Sequence, residues 1–388
     1  MKAKEAAQTR VDEIRHSLID LSHRIHANPE LRFEEHKSSA WAADALEEAG
    51  LSVERGACLL PTAFIARAGS GPLHVAICAE YDALPEIGHA CGHNIIASAA
   101  VGAGIAAAAV ADEVGLTVSV MGTPAEEGGG GKIFMLERKA FDGVHAAMMV
   151  HPAPVDVVEP PIIAAQRVEV EYTGREAHAS SYPQMGINAA DALTVAQVAI
   201  GLTRQHIQPT DRVHGIVTKG GDAANVVPAH TSASYSIRAQ TLGELDDVRA
   251  KVLRCFEAGA LATGCEVKII ASPYAYAEMR HDSDIAATYK RNAEALGRKF
   301  PEMRPEFQRF AGSTDMGNVS LALPSIHPMI GINSWPAGNH QPEFTQHCVT
   351  EAADRAVIDG ALAMAWTAID LATDKEMLGR LLTAGDRE

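Results

Sequence analysis

The chain has 388 residues, 47% apolar and 21% charged, with 32 Gly and 19 Pro. This is globular composition with length for two domains or one large one, and it excludes disordered, collagenous and small disulfide-stapled chains. Lys plus Arg total 33 against 49 Asp plus Glu, a formal charge of −16, which repels a phosphate backbone and sets nucleic acid aside as a partner.

Met1 to Asp20 is charged and helix-like, without the apolar core of a signal peptide. Residues 10–50 read as helical, with Leu18, Leu21 and Ile25 at helical spacing, a break at Asn28-Pro29, then Ser38 to Ala49 closed by Gly50. Thr62–Arg67, Leu73–Ala79, Leu116–Met121 and Ala146–His151 are short apolar runs that read as strands. Ile95 to Ala111 is 17 residues without a charge, just short of the roughly 18 to 20 that span a bilayer. Its Ala and Gly transfer weakly into lipid, so it is expected to be a helix buried against a sheet, and no membrane partner is expected. With a helix over Lys132–Lys139, the rhythm is that of an α/β layer structure whose mostly parallel sheet carries functional loops at its strand ends.

Between about Pro160 and Ser272 the rhythm changes. Arg167–Tyr172 alternates as a strand, Gly186–Gln205 is helical, Arg212–Thr218 and Thr231–Ala239 alternate, Leu242–Ala262 is helical and Glu266–Ala271 is a last strand. That order is the ferredoxin-like α+β arrangement, whose open edge strand is available to a second copy. Helices over Asp282–Leu296 and Thr350–Leu371 follow, with loops at Gly312–Asn318 and Ile330–Phe344. The expected organisation is a discontinuous catalytic domain, residues 1–160 and 273–388, interrupted by a lid and dimerisation domain at 161–272. Six cysteines, Cys58, Cys78, Cys91, Cys255, Cys265 and Cys348, lack a repeated spacing, which favours a reducing, cytoplasmic setting.

Two clusters carry chemistry. Glu80-Tyr81-Asp82 follows a strand and leads into His89-Ala90-Cys91-Gly92-His93-Asn94, where Asn94 is the expected N-cap of the Ala-rich helix. Cys91 and His93, two apart in an extended loop, can face one metal ion, and the helix N-terminus beside them favours thiolate. The second cluster is Thr123-Pro124-Ala125-Glu126-Glu127, four glycines and Lys132. A phosphate loop needs glycine where Glu126 stands and Ser or Thr where Ile133 stands, so that reading fails. Adjacent acids after a strand can instead divide two tasks, one ligating a metal while its neighbour reaches the water on it. With His151 at a strand end and His340 in a loop, five ligands are available, Cys91, His93, Glu127, His151 and His340, enough for two divalent ions sharing one bridge. Asp82 would orient an imidazole or the bridging group from behind.

The strings AEYDALP, HACGHN, PAEEGGGGK, REAHAS, GGDAANVVPAH, GSTDMGNVS and AGNHQPEF, with the His151 strand, span nearly the whole chain. They resemble the aminoacylase and carboxypeptidase type of dinuclear metallopeptidase, in the amidohydrolase branch that includes aminobenzoyl-glutamate hydrolase, plant indole-acetyl-amino-acid hydrolases and β-alanyl dipeptidases. The resemblance implies that the five residues above ligate two ions, Zn or Mn with Co as a further fit, that Glu126 is the general base and that Asp82 is the orienting carboxylate. It also implies that His178 reaches a neighbouring subunit's active site and steadies the oxyanion, and that Asn225 and Arg238 contact substrate. A bidentate grip by the arginine suits a small amide substrate with a free carboxylate. Glu80 departs from the other branches, which carry a histidine ligand there; the resemblance implies that Cys91 supplies the substitute, and it leaves open which residue bridges the metals. Two rivals are a catalytically silent acyl-amino-acid binder on the same fold and a thiol hydrolase using Cys91 with His93 or His151 as base. The first has no need of a proton acceptor at Glu126; a chelator separates the second.

Overall fold

The first helix is longer than its periodic apolar residues imply. In the computed structural model, which describes residues 2–302 and 312–385, α1 spans Lys2–Ala27 and α2 spans His36–Glu48. Strands β1 (Ser52–Arg55), β2 (Phe64–Ala68) and β3 (Leu73–Ala79) precede α3 (His93–Ala108) and the single turn α4 (Ala111–Val114). Then come β4 (Leu116–Gly122), α5 (Gly131–Glu137), β5 (Ala146–Met148) and β6 (His151–Ala153). The run Ala146–His151 is therefore two strands in two sheets, with His151 opening the second rather than closing the first.

The inserted segment follows as β7 (Ala164–Thr173), α6 (Ala189–Thr203), β8 (Arg212–Lys219), β9 (His230–Ala239), α7 (Leu242–Thr263) and β10 (Glu266–Ala271). The chain returns through α8 (Ser283–Ala295), α9 (Met316–Ala322), β11 (Ser325–Ile326), β12 (Met329–Gly331), α10 (Pro342–His347), α11 (Glu351–Thr373) and α12 (Lys375–Gly385). The last of these lies beyond the elements expected from the sequence. Contacts divide the chain into two compact units, Met1–Pro161 with Met279–Glu388, and Ile162–Glu278. Residues 273–278 stay with the second unit because Tyr276 exchanges both backbone hydrogen bonds with Ala165, at 2.9 and 3.0 Å.

In the first unit the sheet order is β1-β2-β4-β3-β5-β11, with β4, β3, β5 and β11 parallel and β1 and β2 antiparallel. A separate parallel pair joins β6 to β12. From β3 the chain crosses to β4 on one side and then to β5 on the other, so the loops after β3 and β4 flank a switch point, where an α/β sheet opens a crevice. The alanine-rich α3 has no polar face: His93 to Ala107 are all buried. Small side chains let it lie close to α11 and α1, and a Cβ on Gly102 would come within 2.7 Å of Leu18 and 2.9 Å of Ala361. α11 is long and apolar enough to cross a membrane by composition, yet 83% of that window is buried in this core. Asn94 does not cap α3. Gly92 occupies that place with φ +77°, a conformation open to glycine, and a Cβ there would meet Pro152 at 2.4 Å. Asn94 is spent on tertiary bonds to the Ser22 hydroxyl and the Cys348 carbonyl.

The second unit is a four-stranded antiparallel sheet, β10-β7-β9-β8. Val168, Val170 and Tyr172 of β7 and Ala233, Tyr235 and Ile237 of β9 alternate into a core shared with α6 and α7, which leaves Arg238 on the opposite face.

Candidate metal centre and active site

The chemical residues of the first unit collect beyond the carboxyl ends of β3, β4 and β5. After β3, Asp82 turns inward and its Oδ1 lies 3.0 Å from Nδ1 of His93. Oδ2 accepts the Glu127 backbone N–H at 2.9 Å. After β4, the chain is bent at Ala125, φ +60°, whose N–H donates to the buried Glu35 at 2.8 Å. The glycines that follow serve packing: a Cβ on Gly131 would stand 1.9 Å from the Pro124 carbonyl oxygen. His340 has φ +67° and is held by its N–H to the Ala90 carbonyl at 2.8 Å.

All five anticipated ligands meet here. Cys91 Sγ is 3.4 Å from Nε2 of both His151 and His340, and His340 Nε2 is 3.2 Å from Glu127 Oε1. The donor atoms form two triplets, Cys91, His93 and His151, and Cys91, Glu127 and His340, each within 4.8 Å, with the sulfur common to both. Two imidazoles are oriented toward the cluster by what their other nitrogen does. His93 gives Nδ1 to Asp82, and His151 Nδ1 donates to the Pro152 carbonyl at 2.9 Å, so each leaves Nε2 for the cluster. His93 Nε2 is buried with no hydrogen-bond partner, an expensive condition that a cation removes. The donor set of nitrogen, oxygen and one sulfur thus fits a pair of divalent ions.

Electrostatics sort the groups. Burial, then Glu80 and Glu127, push the Glu126 carboxyl well above its ordinary value. Glu127 is buried too, but its bond to His340 and the nearby His93 bring it down to about 2. Adjacent acids pushed apart in this way can take different roles. His151 is lowered to about 4 by burial, which keeps it neutral. Cys91 contradicts the expectation of a ready thiolate: burial and the carboxylates Glu127 and Glu126 raise its thiol well above normal. The helix N-terminus loses to desolvation, and a cation is what would deprotonate it.

Several neighbours escape a reading of the sequence. Lys132 is fully buried between Glu80 and Asp315; its place among small and apolar residues is the available signal. Glu35 accepts from Ala125 N–H and from the Thr62 hydroxyl at 2.9 Å. Asn339 donates to the Pro152 carbonyl at 3.0 Å. His327, 1% exposed, packs its ring at a tilt against His151 with centroids 5.3 Å apart. Nothing in their local sequence marks these last three.

His178, Asn225 and Arg238 belong to the second unit. His178 and Asn225 are exposed, and the Asn225 carbonyl accepts the Ala179 N–H at 3.0 Å, tying their two loops together. His178 Nδ1 accepts from the N–H groups of Ser180 and Ser181 at 3.3 and 3.2 Å, so the neutral ring carries its proton on Nε2. Arg238 is half-buried on β9, opposite Ala165 and Arg212.

Imidazole, thiol and carboxylate donors at strand ends, with a spare carboxylate beside them, define a metal-dependent hydrolase of amide or peptide bonds. The profile of Peptidase family M20/M25/M40 matches residues 76–357, and the chain belongs to that family. It is 37% identical over 382 residues to Xaa-Arg dipeptidase of Mus musculus, covering 95% of this chain and 88% of that protein. To a p-aminobenzoyl-glutamate hydrolase subunit of Escherichia coli it is 35% identical over 279 residues, 66% of this chain and 58% of that one. Its fold is similar to that of a dinuclear metal-binding peptidase of the same family from Bacillus subtilis, with TM-score 0.68 and 22% identity over 92% of this chain and 98% of the other.

Proposed function

We propose that this chain uses two divalent ions, ligated by Cys91, His93, Glu127, His151 and His340, to hydrolyse the amide of an N-acyl amino acid, an aminobenzoyl-glutamate-like conjugate or a dipeptide. The observation that carries this reading is the Cys91 sulfur shared by two ligand triplets. The lone sulfur favours zinc over manganese, and cobalt fits the same donors. When bound, such ions lower the pKa of water from 15.7 to about 7 and polarise a carbonyl.

The protein's own groups do the rest. Glu126 takes the proton of the attacking water and returns it to the departing amine. Its raised carboxyl suits holding that proton between the two steps, while Glu127, brought down, stays ionised as a ligand. Asp82 keeps His93 in one tautomer. His178 offers an Nε2 proton to the developing oxyanion, a contribution of about 3–4 kcal/mol for one such donor. Arg238 grips the substrate carboxylate, and Asn225 supplies a further polar contact. The lid at 161–272 joins two copies into a dimer, and six unpaired thiols suit a cytoplasmic setting. A thiol mechanism is disfavoured because Cys91 is pushed up rather than down.

A panel of N-acyl amino acids and dipeptides, Xaa-Arg dipeptides included, assayed with zinc, manganese or cobalt and with chelator, tests this. Turnover that depends on added metal and a markedly raised KM for substrates with an amidated carboxylate are expected. Full activity in chelator with no bound metal would overturn the proposal.

A further inference from the structure

Lys132 sits where an ammonium is costly. It is fully buried, and Nζ lies 2.5 Å from Glu80 Oε1 and 2.6 Å from Asp315 Oδ1, while Asp315 Oδ2 accepts the Lys132 backbone N–H at 2.9 Å. A buried charge is tolerated when paired and hydrogen-bonded, and the two carboxylates meet both conditions. They also exceed it: two negative charges face one positive. The unmatched oxygen is Glu80 Oε2, which is buried and has no hydrogen-bond partner.

That oxygen is 3.6 Å from His93 Nε2, another buried atom without a partner. A charge-assisted hydrogen bond would close to about 2.7–2.9 Å. Two ligands each about 2.0–2.2 Å from one tetrahedral cation lie roughly 3.3–3.5 Å apart, close to what is observed. Glu80, His93 and Glu126 moreover form a third set of donors within 4.8 Å.

We propose that Glu80 is a further oxygen ligand to the cation held by His93, and that Lys132, anchored by Asp315, is the positioning residue that fixes it. By engaging Oε1, Lys132 removes the bidentate and rotated alternatives and leaves Oε2 toward His93. The inference rests on the dinuclear reading but adds a residue that the five-ligand set omits.

Metal-free full-length protein, titrated with cobalt(II) and followed by visible absorption and bound-metal analysis, provides the test. The wild type is expected to bind two ions. In E80Q one site should keep its affinity while the other weakens by more than about tenfold, the lower bound for losing even an outer-shell partner, and its absorption band should move. D315N deletes the same unit of charge on the far side of Lys132 but keeps an amide oxygen that can still accept from Nζ, and Glu80 Oε1 still holds the ammonium, so it should retain the wild-type bands. The paired variant K132M/D315N removes one charge of each sign and frees Glu80, so it should weaken the same site as E80Q. Two ions bound by E80Q with wild-type affinity and bands would overturn the ligand assignment. Equal losses in D315N and E80Q would reduce the effect to bulk charge and overturn it as well. Wild-type bands in K132M/D315N would remove the positioning role. Should E80Q not fold by circular dichroism, E80D, which keeps the charge but withdraws the oxygen, should show the same loss, and a wild-type titration would overturn the assignment. A wild type that binds no cobalt would instead fail the dinuclear reading itself.

Discussion

Asp82 and His93 are joined by a 3.0 Å contact between Oδ1 and Nδ1, while the other carboxylate oxygen accepts the backbone N–H of Glu127 at 2.9 Å. One buried side chain thus sets the tautomer of an imidazole and the placement of a carboxylate in the same ligand cluster. Asp82→Asn would turn an amide NH2 toward one of these two donors. A loss of about 10–100-fold in metal affinity is expected, read by competitive titration against a chromogenic chelator. Unchanged affinity would show that the ligands are positioned by the backbone alone.

Glu126 and Glu127 are neighbours whose carboxyls are pushed in opposite directions, and variants should separate the tasks proposed for them. Glu126→Gln is expected to retain both ions and lower kcat by about 10²–10⁴ with little change in KM. Glu127→Gln should lose metal first and activity as a consequence. Metal analysis beside steady-state kinetics distinguishes the two. Near-normal turnover in metal-loaded Glu126→Gln would remove the proton transfer assigned to it.

Glu35 gives the fold a pH dependence of defined sign. Burial, with Asp82 nearby, raises its carboxyl from 4.5 to about 7. A raised folded-state value means that the stabilising contribution is complete below the unfolded value near 4.5 and is lost as pH rises through about 7. Glu35→Gln can still accept from Ala125 N–H without acquiring a charge, so it should gain stability relative to wild type between pH 5 and 8. The shift corresponds to at most about 3 kcal/mol. Urea unfolding of the metal-free proteins across that interval measures it, and a difference that does not vary with pH would refute the burial argument.

What is legible in the sequence follows from local rules. Period-two alternation in β7 and β9 and the uncharged alanine run of α3 mark their elements, because burial imposes the pattern directly. Cys91, His93, Glu126 and Glu127 are visible because two strands deliver them in short, dense clusters. Glu35, Lys132, Asp315 and His327 are not, since each matters through a partner far away in the chain: Lys132 and Asp315 are 183 residues apart. The cap of α3 departs from expectation for a similar reason. Asn94 is an excellent capping residue, but bonds to Ser22 and Cys348 claim its side chain, and Gly92 fits the tight approach of Pro152.

The second unit carries an unfinished edge. β8 pairs with β9 along one side only, among the described residues, and exposes Ile216 (68%) and Val217 (47%). The Arg204 side chain, following α6, donates to the Val213 carbonyl at 2.9 Å, and α6 itself exposes Val198 and Leu202. Arg212 and Lys219 guard only the ends of β8, and its apolar middle at Ile216 and Val217 invites a second copy, which a two-fold axis would bring edge to edge antiparallel. Ile216→Lys with Val217→Lys would set like charges against each other across that axis. The double variant is expected to dissociate at concentrations at least about 100-fold above wild type, read by light scattering, with its melting temperature little changed because both positions are exposed. If the dimer supplies the partner's His178 to each site, kcat should fall with dissociation. A wild type that is monomeric and fully active would remove both the interface and that contribution.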